Sequence, residues 1–182
     1  MNMTPLEIRS MAYKMAVTLR FSSNTASGVK SCGGAPMTGA AGIIPNTSAL
    51  NAVFDKVLKH ENISGTTEYR LVYLSNDSTS SEKIYNIKVK LLSTPDSEIA
   101  IGALAKNDIG TSLATEKQAP SSVVFKTQAE LNSESAGYLS FSNAEELAPG
   151  EYVGLWMRRK VRSSGGSGTV KEELVLEVQY MN

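Results

Sequence analysis

Tyr85-Asn-Ile-Lys-Val-Lys-Leu91 is the stretch on which the fold turns. Tyr85, Ile87, Val89 and Leu91 fall on one side of an extended chain, Asn86, Lys88 and Lys90 on the other. A period of two is what a strand with one buried face produces. The alternation recurs in Glu68-Tyr-Arg-Leu-Val-Tyr-Leu-Ser75, Glu151-Tyr-Val-Gly-Leu-Trp-Met157 and Leu174-Val-Leu-Glu-Val-Gln-Tyr180. Strands of this kind, spaced by polar turns, predict an all-β fold built as an antiparallel β-sandwich. Further strands are expected at about 98–104, 122–127 and 137–142. Residues 105–121 are polar and aperiodic and read as a long surface loop, and Arg162-Ser-Ser-Gly-Gly-Ser-Gly168 reads as a flexible hairpin tip between the last two strands. Leu147-Ala-Pro-Gly-Glu-Tyr152 is a tight turn feeding the penultimate strand, as in immunoglobulin-like sandwiches.

Upstream of this domain, taken as residues 49–182, residues 1–48 read as an extended N-terminal arm. Two readings fit its start. Leu6, Ile8, Met11, Met15 and Leu19 suit a helix capped by Thr4 with Pro5 at its first position, while Val17, Leu19 and Phe21 suit a strand. Residues 23–48 are nearly all small and without period, so they build no core of their own and are expected to be mobile in a lone monomer. Leu50, Val53, Phe54, Val57 and Leu58 follow helical spacing after Thr47-Ser48, with an irregular first strand as the competing reading.

Composition narrows the function classes. The chain has 182 residues, 41% hydrophobic and 20% charged, which is that of a folded protein. A net charge of zero argues against a dedicated nucleic-acid binder. No stretch approaches the roughly 20 apolar residues of a membrane span, and Glu7, Arg9 and Lys14 interrupt any signal-peptide core. The single cysteine, Cys32, permits no internal disulfide and suits a reducing compartment at synthesis.

Little in the chain points to reaction chemistry. Cys32 as a nucleophile needs a base, and the only histidine is His60, in a stretch that reads as a solvated helix end or turn. Asp77, Asp96, Glu98 and Asp108 are oxygen ligands in or near loops but lack a calcium-loop pattern. No cofactor is expected, since phosphate-loop, dinucleotide and zinc spacings are missing. In Arg158-Arg-Lys-Val-Arg162, strand geometry puts Arg158, Lys160 and Arg162 on one face. The plain reading is a solvent face or sheet edge kept soluble by charge; the sharper one is contact with an acidic patch on a partner. Trp156, Tyr69 and Tyr73 read as packing residues, Trp156 in the core or under a covering loop.

Several segments carry a family resemblance. Ser31-Cys-Gly-Gly-Ala-Pro36, Val53-Phe-Asp-Lys-Val57 and Ser64-Gly-Thr-Thr-Glu-Tyr-Arg-Leu-Val-Tyr-Leu-Ser-Asn76 resemble segments of small virion structural proteins of tailed bacteriophages. So do Tyr85-Asn-Ile-Lys-Val-Lys90, Glu98-Ile-Ala-Ile-Gly102, Leu147-Ala-Pro-Gly150 and Leu155-Trp-Met-Arg-Arg159, in an order that fits across about residues 20–180. The chain departs at Leu71-Val72, where a cysteine is frequent after the arginine, and at Ala103, where leucine is usual. The resemblance implies an immunoglobulin-like domain in the phage particle, made in the host cytoplasm, without catalysis. Its expected partners are the major capsid protein or neck and tail proteins and further copies of itself, with no nucleic acid or membrane. The candidate partner-binding residues are Arg158, Lys160 and Arg162 on the basic strand and Val29, Cys32, Ile43 and Ile44 on the arm.

Overall fold

In the computed structural model, described over residues 17–45, 53–55, 57–92, 98–161 and 175–181, the expected alternations become two packed antiparallel sheets. The strands are β1 (Val17–Phe21), β2 (Thr66–Asn76), β3 (Ile84–Leu92), β4 (Glu98–Ala103), β5 (Lys126–Thr127), β6 (Tyr138–Ser140), β7 (Glu146–Leu147), β8 (Tyr152–Val161) and β9 (Val175–Met181). The helices are α1 (Lys59–Ser64) and α2 (Gln128–Ser135). The first sheet runs β1-β2-β8-β4-β5. In the second, β3 is central, with Val89 opposite Leu139 of β6 on one side and Val178 of β9 on the other, and β7 pairs with its start. Val72 and Leu74 of β2, Ile101 of β4 and Val153, Leu155 and Met157 of β8 meet Ile87, Val89, Leu91 and Val178 in one core. The sandwich is thus the direct consequence of the period-two pattern.

Several expectations change. Val17–Phe21 is a strand paired with β2 from Val17↔Asn76 to Phe21↔Val72, which settles that stretch in favour of the strand. The helix expected over Leu6 to Met15 lies outside the described residues. Because β1 is a strand of the first sheet, the described part of the arm expected over residues 1–48, residues 17–45, is built into the sandwich rather than extended from it. Nor is the small-residue stretch free. Ala26, Ser31, Cys32 and Ile44 are buried, because the segment folds back over the outer face of the first sheet and along the outer edge of β1.

The helix expected from Leu50 is not formed over the described residues 53–55, 57 and 58; α1 begins only at Lys59. Phe54 is buried and spent on packing, and Leu58 is 52% exposed, so the helical spacing did not mark a helical face. The expected hairpin between the last two strands is absent, because β8 and β9 belong to different sheets. Their connection, residues 162–174, lies outside the described residues. In an immunoglobulin domain the last two strands are sheet neighbours, so the strand order here departs from that topology. Residues 105–121 carry no strand or helix, as expected, yet Gly110, Leu113 and Pro120 are buried.

The short strand β7 and the helix α2 went unforeseen. Thr127-Gln-Ala-Glu130 is a reciprocal cap, in which the Thr127 hydroxyl accepts from Glu130 N–H at 3.4 Å and the Glu130 carboxylate accepts from Thr127 N–H at 2.6 Å. It starts α2, which buries Leu131 and ends at Ala136 in the left-handed conformation.

Candidate functional site

The outer face of the first sheet presents Leu71 and Tyr73 of β2 and Trp156 of β8. A second sheet would satisfy its own backbone in a ladder, but an irregular cover must do so piecemeal. Asn24 Nδ2 donates to both Cys32 O (2.8 Å) and Leu113 O (2.9 Å), stitching residues 31–34 to residues 110–113. The Tyr73 hydroxyl donates to Gly34 O at 2.5 Å and accepts from Gly110 N–H at 3.0 Å. Burial pushes that phenol up to about 12. Where β1 ends, Ser31 O and Glu116 O continue the edge of β2 by accepting from Leu71 N–H (2.7 Å) and Tyr69 N–H (2.8 Å). The approach is close: a Cβ on Gly110 would stand 2.3 Å from Leu71 Cδ2 and 3.3 Å from Trp156 Nε1. Trp156 therefore sits under a covering loop, one of the two placements expected for it.

Cys32 and Ile44 are 0% and 1% exposed, so neither side chain presents a surface to a partner. The Cys32 thiol points at Val29 O (3.5 Å) and Lys30 O (3.8 Å), and burial raises its pKa, which opposes a nucleophilic role. His60 is exposed in α1, whereas Cys32 packs on the outer face of the first sheet. Val29 is half-buried against the cover, and Ile43 is exposed where its backbone bridges Arg20.

The basic strand divides by parity. β8 is internal, between β2 and β4, so the edge reading fails and the solvent-face reading holds for Lys160, which is exposed. Arg158 already has a partner within the chain: Nη2 donates to Glu98 Oε1 at 2.9 Å and the guanidinium lies 5.6 Å from the Phe125 ring centroid. Arg162 lies outside the described residues. Arg159, which the basic-run reading passed over, points inward with Val153, Leu155 and Met157 and is 1% exposed.

Arg159 belongs to an ionic cluster at one end of the inner face. Its Nε donates to Glu68 Oε2 at 2.9 Å and its Nη2 pairs with the same oxygen. Glu68 stands directly opposite Arg159 in the register. Arg70, two residues on, is fully buried and donates from Nη2 to Glu116 Oε2 at 2.7 Å. Both guanidiniums lie over the Phe54 ring, at 5.3 Å for Arg70 and 4.8 Å for Arg159. Burial pushes the Glu68 carboxyl up, with Arg159 pulling against it.

Of the loop carboxylates, Asp77 pairs with Arg20 at 2.5 Å and Glu98 with Arg158, while Asp96 lies outside the described residues. Among the described residues, no three His, Cys, Asp or Glu side chains converge as metal ligands, and no helix is long and apolar enough to cross a membrane. On the solvent face of the second sheet, the Tyr138 hydroxyl accepts from Gln179 Nε2 at 2.6 Å, and the Lys88 and Lys90 ammoniums lie 4.3 and 5.3 Å from its ring centroid. Neither a family model, nor a curated protein, nor a solved structure matches the chain.

Proposed function

We infer that the chain is a non-enzymatic structural subunit of a tailed-bacteriophage virion, an accessory protein held in many copies on the capsid surface or on the neck and tail. The observation that carries the reading is where the phage-like segments fall. Residues 31–36 lie in the cover of the first sheet, 64–76, 98–102 and 155–159 coincide with β2, β4 and β8, and 147–150 form the turn into β8. These are packing and turn positions, so what is shared is a scaffold that displays surfaces. Weak contacts repeated by symmetry then become stable when copies also touch one another. The partners on this reading are the major capsid protein or neck and tail proteins, and neighbouring copies. Ile43 and Lys160 remain as outward-facing contact residues. Because residues 22–44 are folded onto their own sheet, they act through the surface they expose rather than by ordering on a neighbour.

The test is co-sedimentation of the purified protein with particles lacking it, followed by cryo-EM of the pellet. Saturable density at lattice positions on the head supports decoration, and density at one vertex supports a neck or tail role. A well-behaved soluble monomer that binds at no ratio overturns the reading. The cluster of Tyr138, Gln179, Lys88 and Lys90 favours a second one, a module that binds a host receptor or glycan. It requires that the isolated protein bind cells and that Tyr138→Ala abolish this.

A further inference from the structure

Val53–Asp55 is held as a bound peptide is held. The carbonyls flanking Phe54 each accept from a buried arginine: Val53 O from Arg70 Nε at 3.2 Å, Asp55 O from Arg159 Nη1 at 2.9 Å. The Phe54 ring lies against both guanidiniums. The receptor is organised without this segment, since Glu68 and Glu116 already orient the two arginines and Arg70 Nη1 also donates to Tyr69 O at 3.0 Å. Recognition therefore draws on two backbone carbonyls, one aromatic ring and the packing of Val53 and Phe54 on the apolar core. Asp55 adds only a 3.8 Å pair with Arg70 from a side chain that is 58% exposed. The floor of the site is charged, so water regains ionic groups when the segment leaves. Because Val53 and Phe54 also pack on the apolar core, release of the segment uncovers apolar as well as charged area.

We propose that this end of the sandwich is a peptide-binding site filled in cis by Val53–Asp55, and that the same segment of a second copy fills it in trans when copies are concentrated. Identical segments make identical contacts, so the exchange is neutral in contacts and local concentration decides it. This goes beyond the virion reading and does not depend on it.

The test uses full-chain Phe54→Ala and a capped, fluorescein-labelled peptide of residues 52–57, Ala-Val-Phe-Asp-Lys-Val. Saturable binding is expected, at least tenfold tighter than to the wild type, whose own segment competes. A peptide with alanine for the phenylalanine should bind at least tenfold more weakly. Phe54→Leu keeps an apolar plug but loses the ring, and should stay folded and bind the peptide at intermediate strength. A folded variant that fails to bind, or binding equal to the wild type's, overturns the site. Native mass spectrometry of mixed light and isotope-labelled wild type then reads exchange directly. Mixed dimers that grow with concentration are expected, and monomers at every concentration overturn the trans arrangement.

Discussion

The two faces of the first sheet are buried by different means. Inside, Val72, Leu74, Val153, Leu155 and Met157 meet the aliphatic face of a second sheet, and backbone satisfaction comes free with the ladders. Outside, Leu71, Tyr73 and Trp156 meet Ala26, Cys32 and Leu113 from irregular chain, whose backbone groups are satisfied by scattered backbone bonds, such as Cys32 N–H to Asn24 O and Leu113 N–H to Cys32 O, together with side chains such as Asn24 and Tyr73. An aliphatic layer tolerates exchange of one similar volume for another. A coil cover depends on a few polar atoms and on close approach at glycine. The outer face should therefore be the more fragile of the two per atom removed.

The largest effect should come from deleting residues 1–48. This removes β1 and the half of the cover that carries Ala26 and Cys32. The expected outcome is loss of a cooperative unfolding transition and red-shifted emission from Trp156, the chain's single tryptophan. A truncated protein with wild-type emission and a sharp transition would show the cover to be dispensable.

The ionic end of the inner face is the exception to its tolerance. Arg159→Met leaves Glu68 buried without its partner, which should cost ~3–5 kcal/mol in urea unfolding. Adding Glu68→Leu should recover most of that loss, because an apolar pair of similar volume replaces the ion pair. If the double variant stays as unstable as the single one, the arginine acts chiefly by holding the Asp55 carbonyl.

Tyr73→Phe is the matching probe outside. It removes one oxygen and strands the Gly34 carbonyl and the Gly110 N–H. A loss of about 1–3 kcal/mol is expected for so small a change. A loss below the range would mean that the cover finds other partners for these groups.

What the sequence made legible follows the same division. β2, β3, β4 and β8 stand out because one buried face imposes a period of two on neighbouring residues. The cover shows no period, since its burial depends on partners far along the chain: Asn24 with Leu113, Gly34 with Gly110. The ionic cluster was available to reading by parity, as Arg159 shares the side of Leu155 and Met157, and Glu68 and Arg70 that of Val72 and Leu74. A basic run counted as charge hides this alternation. The capping box of Thr127 and Glu130 was likewise on the page, but too short a helix followed it to show a periodic face.

Acid should separate two carboxylates with the smallest but most diagnostic effect. Glu151, which accepts from Ala148 N–H at 2.7 Å and is further held by Asn107 and Lys106, has its pKa lowered. A lowered carboxylate contributes stability that is present above its unfolded value and is lost as pH falls through the folded one. Glu68 is raised by burial, so its sign is opposite: its contribution is complete below the unfolded value and is lost as pH rises through the folded one. Thermal unfolding should therefore hold or improve slightly as pH falls toward the ordinary carboxylate range, and decline below it. Glu151→Gln should soften the decline, and Glu68→Gln should remove the gain. Arg159→Met takes away the pull that opposes burial, so Glu68 should then take up its proton at higher pH and the variant's deficit should shrink in mild acid. A deficit that stays constant with pH would mean that Glu68 keeps its charge after losing its arginine, and that this end of the inner face admits water.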